Sequence, residues 1–442
     1  MTKRRKILLA AGLVALGLAV VVPWLVPTSA WLAPVQEMAA AELGAPVVIG
    51  RLRLAILPLP HLTAHDIDAG AGALRVATVL VHPDLGSLFS SPRRLRSVEL
   101  REVRATQAGV ELVQRAAARP RAESAAVIVE RLRLSDAQVT VAGGPLPAID
   151  AQVEFAAANQ PEKLTLQTRD GKAKINLVRE PGGGLAEWKL ELHAADWLLP
   201  VGPPLLFKQL DATGQVNADA LSLPAITASL YGGKLTANLD LACQKACKLG
   251  GHMVLAQLDI APALQALRQK PALSGRLDAS GSFGAQAATL AALADGVNAT
   301  FAFKVADGVL HGFDLASAAQ NLFKGGASGG QTRFDHLSGT VHVAGRATRL
   351  RDLRIGSGVL DAKGNVNVSA ARQLNGRVDV ELKGTSGLVS VPLNVAGTIG
   401  DPQLTPTRGA LAGAAVGTVL LPGVGTAVGS SIGDKLGKLF GK

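Results

Sequence analysis

Three short patterns in this sequence contain residue types that perform chemistry elsewhere. The first is Gly-Ala-Ser-Gly-Gly at residues 326–330, which matches the G-x-S-x-G arrangement of a serine nucleophile. That arrangement needs a sharp turn from a strand into a helix, whereas this copy follows a predicted helix inside a Gly-rich stretch. A nucleotide-binding G-x-x-x-x-G-K-[ST] motif is excluded, because no Gly-Lys pair is followed by Ser or Thr. We therefore expect no catalytic residue and no enzymatic activity.

The second pattern is a pair of histidines, His61 and His65, whose spacing would place both rings on one face of a helix. Pro58 and Pro60 disfavour a helix at this point, and no Glu lies between the two histidines. We expect surface histidines, with no metal and no cofactor.

The third pattern is the only pair of cysteines, Cys243 and Cys247. Apolar and polar residues alternate on both sides of the pair, which predicts two strands joined by a three-residue turn. A metal site would need further ligands at matched spacing, and only His252 is near. We predict a disulfide across the mouth of a hairpin, which fits an oxidising compartment such as the periplasm.

Strands are the elements that must position these residues. Between residues 337 and 400, four runs alternate apolar with polar side chains, and the links between them are short and rich in Gly, Asn, Asp and Ser. Period-two alternation predicts half-buried strands, and short links predict antiparallel neighbours. Nine positions should therefore share one apolar face: Val341, Val343, Val366, Val368, Val378, Val380, Leu382, Leu393 and Val395. The intervening Arg377, Asp379, Glu381 and Lys383 should occupy the opposite face.

Short helices are predicted at residues 34–43, 262–268, 285–294 and 314–324. A weak repeat relates residues 259–280 to a stretch about 63 residues earlier, which indicates a sheet that grows by adding similar modules.

The positive charge is concentrated in three regions. The 442 residues are 48% apolar, 18% charged and 3% aromatic, with a net charge of +11. The excess lies in residues 1–6, 93–133 and 434–442. Few aromatic residues argue against a nucleic-acid groove, so no nucleic-acid partner is expected. The Arg-rich segment 92–133 has two interpretations, a solvated strand face or a site for lipid headgroups.

An uncharged segment of about 20 residues at the N-terminus is long enough to cross a bilayer. It spans residues 7–26 and follows four basic residues, so we predict a single membrane-spanning anchor with a cytoplasmic N-terminus. A cleaved signal peptide is the alternative, because small residues follow at 28–30.

The C-terminus is also uncharged over residues 409–433. Glycines recur there at intervals of four, which on a helix would permit close packing in an apolar medium. We predict a helical hairpin that contacts the outer membrane or a membrane protein. A flexible tail is the alternative.

With these features in view, the chain resembles the AsmA family of inner-membrane-anchored periplasmic proteins. Beyond the N-terminal anchor, the resemblance is carried by VIGRLRL at 48–54, VHPDLGSL at 81–88, LYGGKL at 230–235, DGVLHGFDL at 307–315 and GTIGDPQL at 397–404. It implies a long, bent β-sheet open along one side, with an apolar groove, and a role in moving phospholipid between the inner and outer membranes.

The combined expectation is a mainly β protein with an elongated, curved antiparallel sheet, short helices, an N-terminal transmembrane helix and a C-terminal Gly-rich helical segment. The expected regions are 1–30 (anchor), 31–135 (N-terminal AsmA-like region), 136–405 (repeated β-groove) and 406–442 (C-terminal hairpin). The nine aliphatic positions would line a groove for phospholipid tails, because the few helices cannot cover so many strands. A different function, assembly of outer-membrane proteins by strand addition at a sheet edge, remains an alternative.

Overall fold

The structure is a computed structural model of the chain. It describes residues 29–411 except 57–58, 88–90, 118–126, 142–143, 157–158, 181–186, 201, 270, 321–326 and 384–389. The predicted anchor at 7–26 and nearly all of the predicted hairpin after residue 409 lie outside the described residues. Within the described ranges, the helices are too short or too polar to cross a bilayer.

The chain divides into two compact units, Met1–His193 and Ala194–Lys442. The first unit contains α1 (Ser29–Leu43), β1 (Val47–Ala55), β2 (His61–Ala69), β3 (Leu74–Pro83), a 3₁₀ turn (Leu85–Ser87), β4 (Arg93–Thr106), α2 (Gln107–Ala117), β5 (Val127–Val129), β6 (Arg131–Val141), β7 (Gly144–Pro145), β8 (Ile149–Phe155), β9 (Pro161–Thr168) and β10 (Ala173–Arg179). The chain passes from one unit to the other within β11 (Trp188–Leu198).

The second unit contains β12 (Leu206–Val216), β13 (Ala220–Leu230), β14 (Gly233–Cys243), β15 (Cys247–Asp259), α3 (Ile260–Ala266), β16 (Leu273–Ala287), a 3₁₀ helix (Leu290–Gly296), β17 (Val297–His311), α4 (Leu315–Gln320), β18 (Ala327–Ser328), β19 (Gln331–Ala344), β20 (Ala347–Gly356), β21 (Leu360–Val368), β22 (Leu374–Leu382), β23 (Ser390–Thr398) and β24 (Asp401–Pro406).

The first unit is a sheet in the order β1-β2-β3-β4-β6-β8-β9-β10. All of these neighbours are antiparallel except β4 and β6, which are parallel. A parallel pair cannot be closed by a tight turn, and the connection here runs through α2. The expected antiparallel pairing is therefore confirmed for the other neighbours in this order, and the parallel pairing of β4 with β6 is the exception.

The helix α1 covers the apolar face of the sheet at the start of β1. Its side chains pack in one cluster with Val47, Ile49 and Leu112, the last of which comes from α2. The Gln36 Nε2 atom donates a hydrogen bond to the Ile49 carbonyl oxygen (3.4 Å). Gly44 ends the helix with φ 71°, a left-handed conformation that favours glycine.

The second unit is antiparallel throughout, in the order β12 to β17, then β19 to β24. Between β17 and β19 the chain forms α4 and then β18, which pairs with the last strand through Ala327 and Leu404. Because one connection reaches from β17 to β24, these strands must curve around a common interior. The helix α4 fills that interior.

The core around α4 is the best-buried part of the described chain. Leu315 and Ala318 of α4 are 2% and 1% exposed, and Val380 and Leu393 beneath them are fully buried. The buried hydroxyl of Thr332 accepts a hydrogen bond from the Leu315 amide (3.0 Å), which fixes the start of α4 on β19.

Mid-strand residues with positive φ bend both sheets. Asp136 (φ 55°) and Asp352 (φ 52°) lie where the register shifts, as expected for β-bulges. The backbone amides at both bulges keep a hydrogen-bond partner. The Asp136 amide donates to the Asp150 carboxylate (2.8 Å), and the Asp352 amide donates to the Asn365 side-chain oxygen (3.0 Å). Five further strand residues other than glycine have a positive φ in the described ranges: Asp66, Glu102, Asp196, Gln257 and Asp307.

The predicted short helices are present in part. Those predicted at 34–43, 262–268 and 314–324 correspond to α1, α3 and α4, with different limits. The helix predicted at 285–294 was wrong at its start, because β16 continues to Ala287 and only a 3₁₀ helix follows. Ala285 pairs with Leu249 on one side and Val297 on the other, so tertiary pairing decides its conformation. The boundary expected between residues 135 and 136 falls inside β6.

The first prediction concerns the core around α4. Leu393→Ala should lower the free energy of unfolding by about 2–5 kcal/mol, because it removes buried methyl groups and leaves a cavity. Leu290→Ala is the matched control, since Leu290 is 59% exposed, and it should change stability by less than about 0.5 kcal/mol. Chemical denaturation of both variants would measure the difference. Equal effects would contradict the assignment of this core.

Candidate functional site

Two rows of aliphatic side chains cross the first unit from β1 to β10. Residues directly opposite each other on paired strands share a face, so each row follows from the register. The first row is Leu54, Leu62, Val81, Val98, Leu132, Val153, Leu164 and Leu177. The second row is Leu52, Ala64, Val79, Leu100, Leu134, Ala151, Leu166 and Ile175. We call these two rows the first apolar strip.

The first apolar strip is only partly covered. Leu52 is 5% exposed, and the other fifteen members are half-buried. The helices α1 and α2 pack near β1, β4 and β6, and no helix in the described ranges has substantial contact with β8, β9 or β10. The strip therefore presents a continuous aliphatic surface to whatever medium lies above those strands.

The opposite face of the first unit carries paired charges. The Arg104 guanidinium contacts the Asp136 carboxylate at 3.0 Å, and Arg101 contacts Glu99 at 3.0 Å. The hydrogen bond from Arg104 lowers the pKa of the Asp136 carboxyl below its usual value, and Arg169 at 3.0 Å acts in the same direction. This part of the Arg-rich segment is a solvated strand face, one of its two interpretations.

The second unit has a similar pair of rows, the second apolar strip, which crosses eight strands from β13 to β21. One row is Leu223, Leu239, Gly251, Phe283, Ala299, Val343, Thr348 and Val368. The other is Ile226, Ala237, Met253, Gly281, Phe301, Val341, Leu350 and Val366. Among these residues only Val366 is buried, at 9% exposure.

Two glycines in the second apolar strip leave room for aromatic rings from the neighbouring strands. A Cβ on Gly251 would lie 2.6 Å from Phe283, and one on Gly281 would lie 2.7 Å from Phe301. The two aromatic rings therefore lie across the glycine backbones of the neighbouring strands. This close approach explains why glycine recurs on the apolar face and not only in turns.

The second apolar strip is closed at both ends of β15 and β16. At one end, Leu293 of the 3₁₀ helix packs with Cys247 and Ala285. Cys243 and Cys247 face each other across the β14–β15 hairpin and form a disulfide, with Cα atoms 4.0 Å apart. At the other end α3 packs against β15 and β16, and its Ile260 is buried.

The nine predicted groove positions fall on a single face of the sheet. Register links Val341 to Val366 through Leu350, and Val343 to Val368 through Thr348. Four of the nine are half-buried: Val341, Val343, Val368 and Leu382. The other five belong to the core with α4: Val366, Val378, Val380, Leu393 and Val395. Contact of any of the nine with lipid stays a prediction.

Most of the strip residues were not predicted from the sequence. The same alternation is readable at Leu235, Ala237, Leu239 and Leu241 of β14, and again along β17 from Val297 to Val305. The first apolar strip is harder to find, because bulges in β2, β4 and β6 break the period of two.

The other candidate residues are dispersed. The His61 ring lies 5.5 Å from His82, and His65 is instead within 3.4 Å of the Thr78 hydroxyl. Ser328 lies in β18, where it pairs with Gln403. The described residues contain no group of three or more His, Cys, Asp or Glu side chains arranged to hold a metal ion.

A protein-family model matches much of the part of the chain that forms the two strips. The model of the AsmA family matches residues 125–351, more than half of the chain. The chain belongs to the AsmA family. The AsmA match begins just before β5 and ends within β20, so it includes the β6–β10 part of the first apolar strip and nearly all of the second. No curated protein and no solved structure matches the chain significantly.

The second prediction concerns the Cys243–Cys247 pair. Both thiols should resist alkylation until a reductant is added, as mass spectrometry of the intact protein would show. The double Cys→Ser variant should still fold, because a loop of three residues gains little entropy from closure. Alkylation of both thiols in protein exported to an oxidising compartment would contradict the disulfide.

Proposed function

We propose that this AsmA-family protein carries phospholipid along its apolar strips between the inner and outer membranes. In this proposal residues 7–26 form a single anchor in the inner membrane, with a cytoplasmic N-terminus and the bulk of the chain in the periplasm. The C-terminal segment after residue 409 contacts the outer membrane or a membrane protein.

The observation that carries the proposal is the partial burial of two apolar strips that each cross eight strands, with Thr348 as the one hydroxyl-bearing member. Aliphatic side chains left in water cost free energy, and each lipid methylene placed against them recovers about 0.8 kcal/mol. Polar side chains alternate with the strip residues on most strands; the exceptions are Leu80 in β3 and the bulge at Pro224 and Ala225 in β13. A lipid would therefore meet an apolar face, with a mainly polar face on the other side of the sheet. Acyl chains are the ligand that matches such an apolar face without specific polar contacts.

The dimensions suit acyl chains. Eight strands about 4.8 Å apart give each strip a length of roughly 34 Å. One leaflet of a bilayer has a hydrocarbon thickness of about 15 Å, half of the whole hydrocarbon core. A lipid tail can therefore lie across several strands while its headgroup stays in water at the edge. Movement along the strip breaks no covalent bond, so it requires no catalytic group.

The structure of the second unit limits where lipid would travel. Val341, Val343 and Val368 belong to the half-buried strip, and of these three Val368 also packs against the α4 core. Val380 and Leu393 lie beneath α4 and are fully buried, so lipid would reach them only if α4 moved away. We therefore place the main path over β13–β21 and treat the α4 core as its closed end.

Strand addition, the alternative function, has less support at the β24 and β1 edges. β24 contains Pro402 and Pro406, which lack an amide donor, and β18 already pairs with part of its edge. β1 carries Arg51 and Arg53 along its edge, and charged side chains oppose strand pairing.

The third prediction tests the first apolar strip. Leu164→Asp should slow phospholipid transfer between vesicles by about tenfold or more, because an unpaired carboxylate among lipid tails costs several kcal/mol. The adjacent Thr165→Asp is the matched control, since this position lies on the opposite face, and transfer should be unchanged. The assay uses the full chain reconstituted in donor vesicles that contain a fluorescent phospholipid.

A shortened side chain separates charge from packing. Leu164→Ala should retain most of the transfer rate, because it leaves the strip apolar. Equal transfer by all three variants, or equal loss at positions 164 and 165, would contradict the proposed path.

A further inference from the structure

One end of the first unit combines exposed leucines with exposed arginines. The end is where β1, β3 and β10 finish and where β2 and β4 begin. Leu59 and Leu85 are 60% and 50% exposed there, and Arg93 and Arg94 are exposed beside them. We call these four residues together with Arg96 the rim. Leu59 and Leu85 line one depression beside arginines, and an apolar patch bordered by charged residues is the kind of surface that marks an interaction site.

The backbone around Leu85 is rigidly held. Ser87 is buried, its hydroxyl donates to the Asp84 carbonyl oxygen (2.9 Å), and it accepts a hydrogen bond from the Arg94 amide (2.8 Å). The Asp84 amide in turn donates to the Arg94 carbonyl oxygen (2.9 Å). These bonds join the 3₁₀ turn to the start of β4, so Leu85 and Arg94 are presented side by side and not on a loose loop.

The rim is also electrostatically unbalanced. Arg96 lies 3.6 Å from the Asp84 carboxylate, whereas Arg93 and Arg94 form no ion pair with the residues that the structure describes. Leu59, Leu85 and Arg96 line a shallow depression of about 280 Å³, and its two carboxylates, Asp84 and Glu99, are already paired with arginines. The rim thus offers two unpaired cations and an apolar surface to the same partner.

The direction of α1 relates the rim to the N-terminal segment. From Leu43 back to Gln36 the helix runs alongside β1 from Val47 to Ile49, so the two elements are antiparallel. Ser29 therefore lies toward the Ala55 end of β1, which is the rim end. The chain before Ser29, with its uncharged residues 7–26, joins the first unit on this side.

We propose that the rim docks on the anionic surface of the bilayer that holds residues 7–26. This inference rests on the inner-membrane anchorage within the proposed function. Leucines inserted at the acyl boundary and arginines at phosphate groups are the combination that binds an interface. Docking would set the edge of the first apolar strip against the lipid headgroups, where a phospholipid can pass from the bilayer to the strip.

The test measures how close the rim comes to lipid in the full chain. A cysteine is introduced in separate variants, Leu59→Cys, Leu85→Cys and Val48→Cys, and each is labelled with a fluorophore without reductant. Val48 is the matched control, since it is 60% exposed like Leu59 but lies about 23 Å away at the other end of β1. The protein is reconstituted in vesicles of phosphatidylethanolamine and phosphatidylglycerol that contain brominated lipid.

Bromine should quench the labels at positions 59 and 85 and leave the label at position 48 bright. Arg93→Glu with Arg94→Glu should reduce the ratio of docked to undocked protein by about fivefold or more per arginine, and neutral phosphatidylcholine vesicles should weaken quenching similarly. Equal quenching at all three positions, or none at 59 and 85, would overturn the docking proposal. That failure would leave the proposed function standing if Leu164→Asp still blocked transfer.

Discussion

The structure depends on one constraint, the alternation of side chains along a strand. Each strand places every second residue on the same face, and pairing aligns these residues into rows that run across the sheet. Once a row is aliphatic, it must be covered by protein or by another apolar medium. Among the residues that the structure describes, rows such as the one from Leu62 to Leu177 extend well beyond the helices that contact them.

Protein covers the rows at particular places in each unit. The helix α1 covers the start of β1, the 3₁₀ helix and the disulfide close one side of β14–β16, and α4 fills the interior of β19–β24. In the described ranges, the rest of the two apolar strips is half-buried and mainly apolar. Charges such as Arg104 and Asp136 are confined to the other face, where water screens them. The separation of each sheet into an apolar and a polar face thus stabilises the fold. The same apolar face is the surface that the proposed function assigns to lipid.

The sequence predicts those parts of this pattern that depend on neighbouring residues along the chain, and not those that depend on distant segments. The alternation of Val378 and Val380 with Asp379 correctly places the two valines on one face. It does not reveal that α4, more than 50 residues earlier, fills the space above them. The parallel pairing of β4 with β6 was likewise unpredictable, because it depends on a crossover and not on alternation. Bulges such as Asp136 conceal the period of two, so the first apolar strip emerges only when register is known.

The most direct measurement of the central claim is photo-crosslinking on both faces of the same strands, followed by mass spectrometry of the captured molecules. A photoreactive amino acid at Val153 or Val343 lies on an apolar strip, whereas one at Gln152 or His342 lies on the opposite face. We expect phospholipid adducts at positions 153 and 343 and none at 152 and 342. Equal capture of lipid on the two faces, or capture of protein alone, would contradict the account.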